Sequence, residues 1–457
     1  MTDTAAIVLA AGKGTRMKSG LVKVMHMLGG CPMIAWPVNA ARAAGVARTV
    51  VVTGFQGEKV RDYFADAADI AIALQDRQLG TGHAVACAAP AFKGFTGSVL
   101  ILCGDVPLIQ PATLRSLLDF HETGRATLTV LTACPEDPSG YGRIVKGNEG
   151  RVLRIVEDKD TCGVEKDINE INTGIYCVDA EFLFTAVDGL KNDNAQGEYY
   201  LTDIVQMGAE QGRLCLSFPV TDTAEVMGIN DRVQLATAAS VLRCRINERL
   251  MLSGVTIIDP AATYIDEGVQ VGADTIIHPN VHIAGPTVIG SACLVEPSVV
   301  IRGCRVGNDV TIKAGTVMTD SIVHDSAAVG PMAHLRPGSE LGEHVKVGNF
   351  VETKKTVMGE GSKASHLTYL GDAVIGKNVN IGCGTITCNY DGVKKHRTVI
   401  EDDVFVGSDV QFVAPVTIGR NALIAAGTTV TGDVPPDSLA ISRVPQMNKE
   451  GWRLKKK

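Results

Sequence analysis

The chain has 457 residues and a formal charge of −7, with acidic and basic positions interspersed along it. That length accommodates two or more domains with separate cores, and the dispersed charge offers no broad positive face for nucleic acid. No stretch approaches the roughly 20 apolar residues of a membrane span, and the opening MTDTAAIVLAAGKGTRM breaks its apolar run too early for a signal-peptide core. The 12 cysteines include no CxxC pair, so they read as reduced thiols, mostly core filler, with neither a disulfide framework nor a zinc site. These features predict a cytoplasmic protein without membrane or nucleic-acid partners. The basic end, Arg453 to Lys457, reads as a solvated tail.

Residues 1–229 alternate short β-rich runs with helical stretches. AAIVLA, TVVVTG, IAIAL and SVLILCGD predict strands buried on both faces, and PMIAWPVNAARAAG has helical spacing. The pattern is that of a mostly parallel, Rossmann-like sheet with helices on both sides. Its first strand runs into a loop carrying Leu9, Ala10, Gly12, Lys13 and Arg16, followed by Lys23. A glycine-containing loop lets backbone N–H groups approach phosphate closely, and the three cations supply charge suited to a triphosphate. The spacing is neither that of a Walker A loop nor that of GxGxxG. A second glycine-rich turn, Gln75 to His83, can address a base edge through an amide and backbone groups. LCGDVPL ends a hydrophobic strand in Asp105, and a carboxylate at that rim of a parallel sheet suits a hard cation such as Mg²⁺.

NDRVQLATAASVLRCRINERLML, residues 230–253, predicts one linker helix with Asn230 as N-cap and Ser253-Gly254 as its stop.

From residue 254 to 457 the grammar changes. Aliphatic residues recur every six positions through Val271, Ile277, Ile283, Ile289, Val295 and Ile301, and the phase resumes at Val329, Leu335, Leu341 and Val347. It returns through Ile400, Val406, Phe412, Ile418, Ile424 and Val430, often with a small residue following. A helix requires spacings of three and four, and a hairpin sheet a period of two. A period of six predicts a parallel β-helix whose turns hold three hexads, roughly 18 residues. The largest break, CNYDGVKKHR, predicts a loop leaving the coil. Such hexads resemble those of the hexapeptide-repeat transferases, and that resemblance implies a left-handed coil, against the usual right-handed rule for crossovers.

Polar residues gather where the hexads call for small or aliphatic ones: Arg336, Glu352, Lys354, His366, Tyr369 and Asn380 on the coil, with Asn389, Tyr390 and Lys395 in the loop. Residues one turn apart can stack on neighbouring faces, so this scatter can close into one pocket. In the first half, LAAGKGTRM, QLGTGHA, GDVPL, GYGRI, EINTGI and NDNAQGEYYLTD resemble, in order, the sugar-1-phosphate nucleotidyltransferases. Both halves together resemble the bifunctional N-acetylglucosamine-1-phosphate uridylyltransferase / glucosamine-1-phosphate N-acetyltransferases, down to the AISRVPQ segment and the KEGW that follows it.

The resemblance implies that Leu9, Ala10, Gly12, Lys13, Arg16, Lys23, Gln75, Gly80 and Thr81 bind the uridine nucleotide and that Asp105 with Asn230 holds Mg²⁺. It implies N-acetylglucosamine-1-phosphate on Gly142, Glu157 and Asn172, and His366 as the general base of acetyl transfer. Arg336, Lys354, Tyr369, Asn380 and Lys395 would hold glucosamine-1-phosphate. Cys383, Asn389, Tyr390, Ser408, Ala426 and Arg443 would meet acetyl-CoA. The family also implies a homotrimer. Two departures stand out: Cys103, where relatives often carry Tyr, and Cys383, where they typically carry Ala. Rival readings of the same architecture are a single-function nucleotidyltransferase with a structural β-helix and a non-catalytic regulatory subunit. The Mg²⁺ acid and the Lys/Arg pair of the first loop speak against the second, and the polar set around His366 against the first.

Overall fold

A computed structural model describes residues 3–12, 14–54, 56–194 and 196–456. The chain divides into two compact units at Leu242/Arg243.

The first unit is built on a 9-stranded sheet. β1 (Thr4–Ala10), β2 (Arg48–Thr53), β3 (Ile70–Leu74) and β4 (Ser98–Cys103) run parallel, with β1 between β2 and β4. β5 (Leu128–Ala133), β6 (Arg143–Lys146), β7 (Val152–Val156), β8 (Ile171–Asp179) and β9 (Cys215–Pro219) complete it. β8 is antiparallel to both β4 and β5, which makes the sheet mixed.

Alternation along β1 sends Ala5 and Ile7 to one core and Ala6 and Val8 to the other. The first core is covered by α3 (Thr81–Ala88), α5 (Ala180–Asp188) and α6 (Asp203–Glu210), the second by α1 (Ala35–Ala43), α2 (Gly57–Tyr63) and α4 (Pro111–Gly124). Doubly buried strands follow for β1, β2 and β4, but IAIAL departs from the expectation. β3 pairs with β2 alone and is only half-buried, because it is the last strand of the sheet.

The helix Arg232–Leu252 (α7) begins one residue later than Asn230 would require of a cap. Asp231 caps it, accepting from the amides of Val233 and Gln234 at 2.9 Å each. Asn230 turns its side-chain oxygen to other partners instead. The predicted stop is in place: the Ser253 amide donates to the Arg249 carbonyl at 3.1 Å, and Gly254 takes φ 99°.

The second unit is a parallel β-helix. Short strands stack into sheets of 11, 10 and 9 members, each strand parallel to those one turn before and after it. Ile277, Ile283, Ile289, Val295 and Ile301 fill its interior, as do Phe412, Ile418 and Ile424. Asn and Asp occupy many of the bends at positive φ, including Asn280, Asp309, Asn378, Asp403 and Asn421, since their short polar side chains tolerate that conformation. The loop between Thr387 and Thr398 leaves the stack: Ala373 pairs directly with Thr398 across it, and Tyr390 bridges Lys395 within it. All 12 cysteines are free thiols; Cys177, Cys215, Cys293 and Cys304 are core filler, but Cys134, Cys162 and Cys244 are exposed, against the expectation.

Candidate active sites

The carboxyl ends of β1, β3 and β4 open on a cleft of about 340 Å³, the rim where parallel sheets bind ligands. Leu9, Ala11, Gly12, Gln75, Gly80, Thr81, Cys103, Asp105 and Glu198 line it. Ala10 ends β1 beside it, and Lys13 lies outside the described residues. The Gly104 amide donates to the Leu9 carbonyl at 2.9 Å, tying the strand ends together just before Asp105.

Charge converges there. The Lys23 ammonium makes an ion pair with Asp105 Oδ2 and reaches Asn230 Oδ1 at 3.2 Å. Arg16 Nη2 donates to the same Asn230 oxygen at 2.9 Å. The Ile229 amide donates to the Asp105 carbonyl at 2.9 Å, so the 228–230 loop is stitched to the strand end. One carboxylate and one carboxamide oxygen form a sparse, hard donor set. Among the described residues no group of three or more His, Cys, Asp or Glu could cage a metal. The pair fits a small divalent cation that takes its remaining ligands from phosphate and water.

Gln75 is buried, and its Nε2 donates to the Gly80 carbonyl at 3.0 Å. Gly80 opens α3 at φ 108°, and a Cβ there would lie 2.6 Å from the Tyr199 carbonyl oxygen, so only glycine fits this turn. Thr81 Oγ1 accepts from the Leu201 amide at 3.1 Å, fastening the GEYYLTD segment to the same rim.

A second group adjoins the cleft through Cys103. The Asn172 amide donates to the Gly142 carbonyl at 2.8 Å, and Asn172 Oδ1 accepts from the Gly174 amide at 3.0 Å. Cys103 Sγ stands 3.5 Å from the Gly174 carbonyl oxygen. Burial pushes its thiol up to about 12, so it stays protonated and is no nucleophile at neutral pH. Glu157 accepts from Thr202 Oγ1 at 3.2 Å, and burial raises its carboxyl above the usual range. At Gly142 a Cβ would press on Ile155 Cγ2 at 2.9 Å.

In the second unit the sequence-predicted residues, Asn380 excepted, fall on two edges of one face. Along the first edge, Asn349, His366, Cys383, Ser408 and Ala426 each precede a bend, one per turn. Backbone bonds tie these bends in succession, from the Leu367 amide to Asn349, Gly384 to Leu367, Asp409 to Cys383 and Gly427 to Ser408, at 2.7–3.0 Å. Arg443 Nη1 donates to the Ala426 carbonyl at 2.6 Å and extends the column. His366 Nδ1 lies 2.6 Å from Asn349 Oδ1, a strand neighbour in register.

The second edge is cationic. Arg336 Nη1 donates to Glu352 Oε1 at 2.8 Å, and Glu352 pairs in register with Tyr369. Lys395, foremost, and Arg336 push the Lys354 ammonium below its usual range, which places three cations in one neighbourhood. Asn389 Nδ2 donates to Asp372 Oδ2 at 2.6 Å, and Tyr390 donates to the Gly392 carbonyl at 2.6 Å, so both shape the loop. Asn380 stands apart: it pairs with Lys363, at the far end of the strand that finishes in His366.

Several neighbours escaped sequence reasoning. Asn349 gives no signal in its hexad beyond being polar, and Asp372 reads as an ordinary bend residue. Glu225 accepts from both the amide and the side chain of Gln110, at 3.0 and 3.2 Å, across 115 positions of sequence. One pattern was legible and overlooked. Met332, Phe350 and Leu367 occupy successive bends beside His366 at φ 52°, 57° and 44°, with 55–58% of each exposed. Bulky apolar residues are strained at such angles, by about 1–2 kcal/mol each.

A nucleotidyltransferase-type sheet and a hexapeptide coil with its own polar site together define a two-part transferase. A nucleotidyl transferase family model matches residues 5–224, and the bacterial transferase hexapeptide (six repeats) model matches 268–303 and 397–432. The bifunctional protein GlmU of Geotalea uraniireducens is 69% identical over 457 residues, covering 100% of both chains. That of Geobacter sulfurreducens is 66% identical over the whole of both chains, and that of Shouchella clausii 47% over 99% of each. The chain belongs to the bifunctional GlmU family. It is a transferase with two activities, and its coil is the left-handed parallel β-helix of the hexapeptide transferases. Its substrates are small molecules of the sugar-phosphate, nucleotide and acyl-CoA classes, and its nucleotidyl transferase half works with a divalent metal. No helix among the described residues is long and apolar enough to cross a membrane.

Proposed function

We propose that the chain makes UDP-N-acetylglucosamine in two steps. The coil acetylates glucosamine-1-phosphate from acetyl-CoA, and the sheet unit then joins the product to UTP, releasing pyrophosphate. The single observation that carries the bifunctional reading is the His366–Asn349 contact at the start of the edge column. A coil that only assembled the protein would have no use for an oriented imidazole.

In acetyl transfer, Nδ1–H of His366 donates to Asn349, which leaves the Nε2 lone pair for the acceptor amine. The amine nitrogen attacks the thioester carbonyl, His366 takes its proton, and the CoA thiol leaves. Arg336, Lys354 and Lys395 grip the sugar phosphate, with Tyr369 and Asn380 completing the acceptor site. Cys383, Ser408, Ala426 and Arg443 run along acetyl-CoA, while Asn389 and Tyr390 orient the acetyl end.

In uridylyl transfer, the sugar phosphate oxygen attacks the α-phosphorus of UTP in line. Two polyanions must meet, so Arg16, Lys23 and Lys13 act by neutralising charge and aligning the phosphates. Asp105 and Asn230 would hold Mg²⁺, which would supply positive charge to offset the repulsion between the phosphates. Gln75, Gly80 and Thr81 take the uridine. Gly142, Glu157 and Asn172 take the N-acetylglucosamine. No side-chain nucleophile takes part.

A homotrimer working in the cytoplasm belongs to this reading. It is supported by the strained apolar bends at Met332, Phe350 and Leu367, which gain stability only if covered, and by Asn380, whose place suits a neighbouring copy's His366 better than its own. Sedimentation should give a species of three 48.2 kDa chains; a stable monomer that still acetylates would count against it. Incubation with glucosamine-1-phosphate, acetyl-CoA, UTP and Mg²⁺ should yield the nucleotide sugar. Product from N-acetylglucosamine-1-phosphate but none from glucosamine-1-phosphate would reduce the chain to a single-function nucleotidyltransferase.

A further inference from the structure

We infer that His83 sets which nucleobase the cleft accepts, by locking the Gln75 side-chain amide with its oxygen turned to the base. The inference deepens the uridylyl reading above and rests on it.

The orientation of the Gln75 amide follows from its partners. The Gly80 carbonyl can only accept, so the group 3.0 Å from it must be the Gln75 nitrogen. That carbonyl also receives the Ala84 amide at 3.2 Å, the first hydrogen bond of α3, so helix and glutamine share one anchor. The same Nε2 lies 3.0 Å from His83 Nδ1. With one N–H spent on Gly80, its second points at the imidazole, and Nδ1 must offer a lone pair. The ring proton therefore sits on Nε2, which faces Cys87 Sγ at 3.8 Å.

Both N–H groups of the amide are consumed on the side away from the base. Among the described residues nothing donates to Gln75 Oε1, and that oxygen is not among the buried unpaired atoms. Gln75 lines the cleft, so its carbonyl oxygen is the hydrogen-bonding group it has left to offer there. An acceptor pairs with the N3–H of uracil. Opposite cytosine it would face the N3 lone pair, leaving two acceptors opposed and unpaired in a desolvated site.

His83 supplies the second of two locks. Flipping the amide to suit cytosine would set Oε1 against the Gly80 oxygen and against the His83 lone pair together. Without His83 only the first repulsion remains, and the flipped state becomes more populated. His83 is not among the residues that line the cleft and acts through Gln75, so it is a positioning residue.

The test compares UTP with CTP, at saturating N-acetylglucosamine-1-phosphate, on the full chain. His83→Ala should lower the UTP-over-CTP ratio of kcat/KM about fivefold, the factor one neutral hydrogen bond is worth. His83→Asn, whose Oδ1 stands near the place of Nδ1, should restore the ratio. Acetyl transfer in the same preparations should be unchanged, which reports that the chain is folded. A long-range ¹H–¹⁵N spectrum of the wild type should show His83 with its proton on Nε2. A proton on Nδ1, an unchanged ratio in His83→Ala, or equal loss with both nucleotides would overturn the lock. A wild type that turns over neither nucleotide would instead sink the uridylyl reading and the lock with it, whereas strong UTP preference retained in His83→Ala sinks the lock alone.

Discussion

Asp105→Ala should abolish uridylyl transfer, lowering kcat about 10³-fold or more, while acetyl transfer by the same preparation stays at the wild-type rate. The carboxylate does two things at once. It is an acidic oxygen donor that shares the Lys23 ammonium with Asn230 and could serve a divalent cation, and it is the counter-charge of Lys23. Its removal leaves the metal a lone carboxamide and leaves the Lys23 ammonium free to settle on phosphate in the wrong register. Asp105→Asn keeps the shape and loses the charge, so it should be nearly as damaged. Pyrophosphate release measured beside thiol release separates the two activities in one tube. Equal loss of both in Asp105→Ala would defeat the assignment.

The mirror result is expected of His366→Ala: acetyl transfer falls by about 10²–10⁴-fold, the usual worth of a positioned general base, and uridylyl transfer is spared. The amine of glucosamine-1-phosphate must lose a proton as it attacks, and no other imidazole is predicted for that edge column. Cys383, one turn further on, has a thiol rather than a base to offer. Free CoA thiol, followed colorimetrically, reads the step directly. Full acetylation by the alanine variant would show that some other group takes the proton.

Much of the fold was legible because both of its rules are periodic. Hexads announce a coil whatever else the chain contains, and Val271 to Ile301 or Ile400 to Val430 could be neither helix nor hairpin. Doubly buried strands announced the sheet, yet IAIAL was read one place too far in, because composition does not say which strand comes last. Asn230 is an instructive error. As a residue before a helix it makes an acceptable cap, but its neighbour Asp231 can do that as well. What decides between them is the pair of cations, Arg16 and Lys23, that arrive from more than 200 positions away. The same holds for Glu225 and Gln110, and for Asn349 beneath His366. A residue whose partner is brought by folding shows nothing in its own stretch of sequence. The bends at Met332, Phe350 and Leu367 are the opposite case, since a bulky apolar residue where the repeat favours Asn or Asp is visible on the page.

The edge column also acts as a graduated rule. Adjacent rungs of a parallel stack are about 4.8 Å apart, so the span from the imidazole to the Ala426 rung is three divisions, roughly 14 Å. A compact acyl donor could touch only one or two marks of such a scale, while a long, drawn-out one can register with all of them. Selection along this edge is therefore made by reach, and the donor is measured rather than enclosed.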